Sequence, residues 1–168
     1  RRVSRALSVV NSAGAAISGF DFVQEWALNN ADSRRILVER ATASGGQDRH
    51  GTLVELRLNG AGTSLVAVNT FSQRKLGTTN MDLTAAEYGF ASADPNGPQR
   101  PNLIYAGFTE RANPRNRGRL YFRENGNGEP VELANYRLGG GAGVRDIAVD
   151  PFDFKKIVVI DALGQVWK

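Results

Sequence analysis

Four arginines crowd one short stretch: Arg111, Arg115, Arg117 and Arg119. Asn113 and Asn116 lie between them, and Tyr105 and Tyr121 stand on either side. A guanidinium offers a planar fork of donors that matches sulfate, phosphate or carboxylate. These four arginines are therefore the candidate site, and the chemistry is capture of an anionic group on a glycan or a protein partner. Glu110 and Glu124 are near enough in sequence to neutralise them. A solvated loop of ion pairs is the competing reading.

Other chemistry-bearing residues point elsewhere or nowhere. His50 is the only histidine, and no cysteine is present, so thiolate metal sites and disulfides are excluded. Asp146 and Asp150 stand four positions apart and would share one face of a strand. They would be about 13 Å apart, too far to cooperate as a glycosidase pair. We expect no catalytic residue and no bound metal or other cofactor. Asp32, Asp94, Asp150 and Asp153 sit at turns, where carboxylates could take calcium. Asx-turn chemistry accounts for the same positions without a metal. The run Gly139-Gly140-Gly141-Ala142-Gly143 lacks the Gly-Lys-Ser/Thr ending of a phosphate loop and reads as a flexible linker. Trp26 and Trp167 fall in strand registers expected of core packing.

The elements that carry these residues repeat. The last copy runs Val144-Arg145-Asp146-Ile147-Ala148-Val149-Asp150-Pro151, then Ile157-Val158-Val159-Ile160, then Gly164-Gln165-Val166-Trp167. A looser copy holds Asp94-Pro95, Leu103-Ile104-Tyr105 and Gly118-Arg119-Leu120-Tyr121-Phe122. An earlier one holds Trp26-Ala27-Leu28-Asn29, Ile36-Leu37-Val38 and Gly51 to Leu56. The first two copies align without a gap at an offset of 67, which sets Thr42 over Thr109 and Gly51 over Gly118. We expect a single β-repeat region over 1–168, with approximate repeats at 20–68, 86–134 and 144–168, the last incomplete. Fixed-period strand units of this kind favour a β-propeller, each repeat one blade.

Local patterns fill in the units. Leu53, Glu55 and Arg57 alternate with Val54, Leu56 and Leu58, which predicts a half-exposed strand. Asp82 to Tyr88 predicts one helical turn capped by Asp82. Asp94 to Pro101 holds three prolines and predicts no regular strand interior. The long hairpin loops Thr42 to Gly51 and Thr109 to Arg119 would occupy equivalent places and project from one face.

The stretch "RDIAVDPFDFKKIVVIDALGQVWK" resembles a blade of the Asp-box (BNR, sortilin-like) propellers, with its apolar strand, Asp-Pro turn, apolar strand and Gly-x-Val-Trp. In the second copy, Arg123-Glu124-Asn125-Gly126-Asn127-Gly128 takes the place of a full Asp box. The resemblance covers roughly residues 22–168 and carries no catalytic residue onto this chain. It implies an all-β fold of about three blades, part of a larger or assembled propeller, since natural propellers close with four to eight blades. A β-sandwich is the alternative fold.

Composition bounds the function. The chain has 168 residues, 21 basic against 17 acidic, and a net charge of +4. That balance is not that of a dedicated nucleic-acid binder. No stretch approaches the roughly 20 apolar residues of a membrane helix. The expected function is a non-enzymatic, extracellular or surface-exposed structural or binding module, of bacterial or phage type, at a cell or virion surface. Its partner would be a protein or neighbouring subunits covering exposed sheet edges, or an anionic glycan. A fragment of a propeller-type glycoside hydrolase resembling sialidases is one alternative. A phage or filament structural subunit is another.

Overall fold

The structure, a computed structural model, describes residues 8–17, 26–40, 52–71, 81–110, 117–126, 128–138 and 140–168. These form an all-β chain of three sheets, none of them closed. Strands β2 (Trp26–Leu28), β3 (Arg35–Arg40), β4 (Thr52–Leu58) and β5 (Ser64–Phe71) make an antiparallel meander. Strand β1 (Ser8–Val10) adds to β5 in parallel. The second meander is β6 (Met81–Ala91), β7 (Gln99–Glu110), β8 (Gly118–Arg123) and β9 (Val131–Glu132). A short helix α1 (Ala134–Leu138) follows it. The third is β10 (Val144–Asp150), β11 (Asp153–Asp161) and β12 (Val166–Trp167).

The sheets stack face on face, and the second is the middle layer. Its Tyr88, Ile104, Ala106, Phe108 and Tyr121 form one core with Leu37 and Leu53 of the first sheet. Its opposite face gives Phe90, Leu103, Tyr105 and Leu120 to a core with Val144, Ile147, Phe154 and Val159 of the third. The period-2 pattern decides this, because successive side chains of a strand point to opposite faces. β7 is buried on both faces from Leu103 to Phe108, so it reads as a continuous apolar run. Among the strands, the sheet-to-sheet approaches fall mainly between first strands: β2 against β6 and β6 against β10.

Turn chemistry is repeated with the sheets. Asn29, Asp94 and Asp150 each accept the N–H two residues on, at 2.9, 2.9 and 2.8 Å, the Asx-turn bond. A second set closes hairpins at Asn11, Asn59 and Asp161. In each, the side-chain Oδ1 accepts the N–H four residues on, at 2.9, 2.8 and 2.8 Å. The glycine at the fourth position has φ of 82°, 67° and 77° for Gly14, Gly62 and Gly164, a left-handed conformation that residues with a Cβ rarely adopt.

Several sequence expectations are corrected. Asp82 to Tyr88 is strand, not helix: Met81, Leu83 and Ala85 are buried in alternation, and Asp82 pairs with Thr109 across β7. β4 is not half-exposed, because Leu53 packs on the second sheet while Val54 and Leu56 pack with Val38 on the other face. The gapless offset of 67 fails by one residue. Leu37 pairs with Glu55, whereas Ile104 pairs with Arg123, not the Phe122 that the offset requires. A one-residue slip reverses every side chain, so Leu37 faces forward onto the second sheet while Ile104 faces back onto the first. Gly141, Ala142 and Gly143 are buried and are no loose linker: Gly118 N–H donates to Gly141 O at 3.0 Å, and Tyr136 Oη donates to Ala142 O at 2.7 Å. Gln99 to Pro101 does join β7, but ahead of its pairing with β8, so the missing proline N–H breaks no bond to that strand. Trp26 is 58% exposed on the edge strand β2, whereas Trp167 does pack on the core through Tyr136.

One buried carboxylate bridges the first two sheets. Glu55 Oε1 accepts Tyr88 Oη at 2.6 Å and Arg35 Nη1 at 3.3 Å, and Glu55 Oε2 accepts Arg123 Nη2 at 3.0 Å. Arg35 Nη1 also donates to Asn102 Oδ1 at 2.6 Å. Replacing Glu55 by Ala leaves two guanidinium groups and a phenol without this acceptor. We expect a loss of about 3–5 kcal/mol in urea unfolding, the usual cost of breaking a buried pair. A smaller loss is expected for Arg35→Ala, because Arg35 lies at the partly exposed end of the network.

Candidate functional site

The arginine hairpin is only partly within view. Arg111 and Arg115 lie outside the described residues, as do His50 and the segment 41–51. Arg117 and Arg119 are described, and β7 and β8 place them differently. Arg117 is exposed just ahead of β8, bridged to Ala142, and its carbonyl accepts Glu110 N–H at 2.9 Å. Arg119 is half-buried within β8. Its Nε donates to Glu110 Oε1 at 2.5 Å, and its Nη1 lies 3.6 Å from Glu132 Oε2. Burial works against its charge, but Glu110 and Tyr121 hold the guanidinium above its ordinary value. Two carboxylates thus already occupy Arg119. Glu124, the other acid considered, sits 3.4 Å from Arg100.

Beside the hairpin base lies a polar cavity of about 440 Å³ between the second and third sheets. Thr84, Thr109, Gly143 and Arg145 line it. Arg145, like Arg117, is exposed. Arg145 lines this cavity, and Arg117 stands exposed at the hairpin base just ahead of β8. The sequence offered Arg117 but not Arg145, because Arg145 is separated from the hairpin by the whole of β9 and α1.

The acids answer to structure. Asp161 is 1% exposed. Burial opposes its charge, but N–H groups of Gln165, Ala142 and Leu163 and the indole N–H of Trp167 together hold its carboxyl below the ordinary carboxylate range. Those bonds measure 2.8, 3.3, 2.9 and 3.1 Å. Glu87 differs: burial, then the charge of Asp146 on the adjacent β10, pushes its carboxyl up. Its neighbour Tyr88 is raised by burial and by Glu55. Tyr105, which donates to Phe154 O at 2.7 Å, is pushed up to about 12 by burial, then by Glu124 and Asp153. Sequence reasoning missed Asp161 as an anchor, although the glycine three places on was a usable signal. It weighed Asp146 only against Asp150, whereas the charge of Asp146 acts on Glu87 across the second and third sheets.

Two pH limits follow. The Asp161 carboxyl is lower in the folded state than in the unfolded chain, so its stabilisation is complete above the ordinary carboxylate pKa of about 3.9 and is lost as pH falls through the folded value. Trp167 emission during acid titration should report this loss, and Asp161→Asn should flatten the acid limb. Tyr105 has the opposite sign: its contribution is complete below about pH 10 and is lost as pH rises through about 12. Tyr105→Phe should flatten the alkaline limb seen by circular dichroism.

A scan against protein families, a search of curated proteins and a search of solved structures each find no match for this chain.

Proposed function

We propose that this chain is a non-enzymatic structural or binding module built from three propeller-like blades, and that it works packed against further sheets or subunits at a cell or virion surface. One observation carries the proposal. The first sheet is covered by the second and the second by the third, but the outward face of the third is open. Ala148 and Val166 are exposed there, with Ile160 at 41% and Val158 half-buried beside them. A monomer leaves such apolar positions to water, whereas a repeat array buries each face against the next unit. The approach of β2, β6 and β10 along one side supports a propeller over a sandwich, since blades converge through one strand of each sheet. No helix among the described residues is long and apolar enough to cross a membrane. Arg117 and Arg145 would supply the contact to an anionic partner.

The glycoside-hydrolase reading has one observation in its favour. Glu87 carries a raised pKa near a second acid, Asp146, the pairing that sets an acid and a base apart in such enzymes. A reducing-end assay on neutral and acidic oligosaccharides decides between them. We expect no product above the blank. Turnover that vanishes in Glu87→Gln would replace the module with an enzyme. The anionic contact is checked separately on a heparin matrix: Arg117→Gln with Arg145→Gln should elute at clearly lower salt than the parent chain.

A further inference from the structure

Arg117 bonds Glu110 at the end of β7, and a second pair of arginines stands near the strand's start, where Arg35 bonds Asn102. Arg34 and Arg57 line one cavity of about 400 Å³ at the β4–β5 hairpin, with Leu58, Asn59, Val66 and Val68. No acidic side chain lines it. The nearby acids are already taken: Asp32 lies 2.9 Å from Arg35 Nε, and Glu55 accepts Arg35, Arg123 and Tyr88. Arg34 and Arg57 are both exposed, and neither has an ion-pair partner among the described residues. The Arg34 guanidinium is nevertheless held in place. Its Nη2 donates to Leu58 O at 3.4 Å and to Asn59 O at 3.1 Å, while its Nε and Nη1 make no hydrogen bond among the described residues. The Asn59 side chain fixes those carbonyls by accepting Thr63 N–H and donating to Ser64 Oγ, both at 2.8 Å. Arg57 pairs with Arg35 on one side and Val66 on the other, so the three side chains leave the sheet on one face. Val68, in the same cavity, is 50% exposed. β4 lies between β3 and β5, and β5 has β1 beyond it, so the cavity is no open sheet edge.

We propose that this cavity binds a small organic phosphate monoester, its phosphate between Arg34 and Arg57 and its apolar body on Val66 and Val68. A guanidinium fork offers parallel N–H donors to a phosphate, and a fork fixed in advance loses less freedom on binding. Two cations without a facing acid match the charge of a phosphate monoester, about −1.5 to −2 near pH 7. The valines favour an ester over a bare ion, because its apolar body removes them from water. The volume lies in the range of small-molecule sites, about 300–1,000 Å³. This inference goes beyond the module reading and does not depend on it, since it uses neither Arg117 nor Arg145.

The test is calorimetric titration of the full chain with phenyl phosphate at low salt. Saturable binding is expected, weakening with added salt as exposed charge pairs do. Inorganic phosphate and phenol should each bind at least tenfold more weakly than the ester. Arg57→Gln should weaken phenyl phosphate at least tenfold and leave the circular dichroism spectrum unchanged, because Arg57 is exposed and unpaired. Arg34→Lys keeps the charge but loses the fork, and should weaken binding severalfold. Absence of saturable binding to the parent chain overturns the proposal, as does unchanged affinity in Arg57→Gln. Equal binding of inorganic phosphate or of phenol also overturns it, since the site would then read charge alone or apolar surface alone.

Discussion

The joint between the first two sheets depends on a buried carboxylate being fully occupied. Glu55 enters the interface between the first two sheets with a charge that water no longer solvates, a state costing several kcal/mol if left alone. Tyr88, Arg35 and Arg123 surround it, and each comes from a different strand. The three donors fix the lateral position of β4 relative to β6 and β8 in a way that apolar contacts do not, because hydrophobic burial has no direction. Leu37 and Leu53 could slide against Ile104 and Phe108 at little cost. Glu55 could not slide against Arg123.

The second interface is fixed by different means. Between the second and third sheets no buried ion pair among the described residues plays the part of Glu55. Aromatic packing and backbone-directed bonds hold it instead. Phe90 lies 5.8 Å from Phe154, and the Tyr105 hydroxyl donates to Phe154 O. Ala93 N–H, just past β6, reaches Pro151 O, just past β10, at 2.7 Å. Gly89 marks how tight the joint on the other side is. Its φ is 70°, and a Cβ there would overlap the Asn29 side chain, whose Nδ2 donates to Pro101 O at 2.6 Å. Asn29 serves both its own turn and the neighbouring sheet.

The β character was legible in the residues, since Ile36 to Val38, Leu103 to Phe108 and Ile157 to Ile160 announce strands by composition alone. The turn anchors Asn29, Asp94 and Asp150 were legible too, because short polar side chains have a specific local use. What could not be read was which face each strand shows. Glu55 and Arg57 looked like one solvent-facing row, yet Glu55 is 2% exposed and Arg57 is exposed. The difference is made by Arg35 and Arg123, 20 and 68 positions away. The one-residue slip between β3–β4 and β7–β8 is invisible for the same reason. Hydrophobic residues on both sides of a buried strand satisfy either register, so only the pairing partner decides. Asp82 to Tyr88 looked helical because its alanines and Glu87 favour a helix weakly, and sheet pairing overrides a preference of that size. As for the site, Arg111 and Arg115 stand outside the described residues, Arg119 proves to be paired, and Arg117 is exposed.

The distribution of charge follows burial. Glu55 and Asp161 are both spent on architecture, one joining sheets and one closing the last hairpin onto Trp167. Asn11 and Asn59 close equivalent hairpins without a charge, each with its own side-chain carbonyl. Asp161 takes on two further donors, Ala142 N–H and the Trp167 indole, and a carboxylate has the lone pairs to accept all four at once. A neutral amide would have to turn an NH₂ group toward some of those donors. The charge is therefore retained where it is buried and absent where the same turn faces water. Asp161 is thus withdrawn inside, where it orders Trp167.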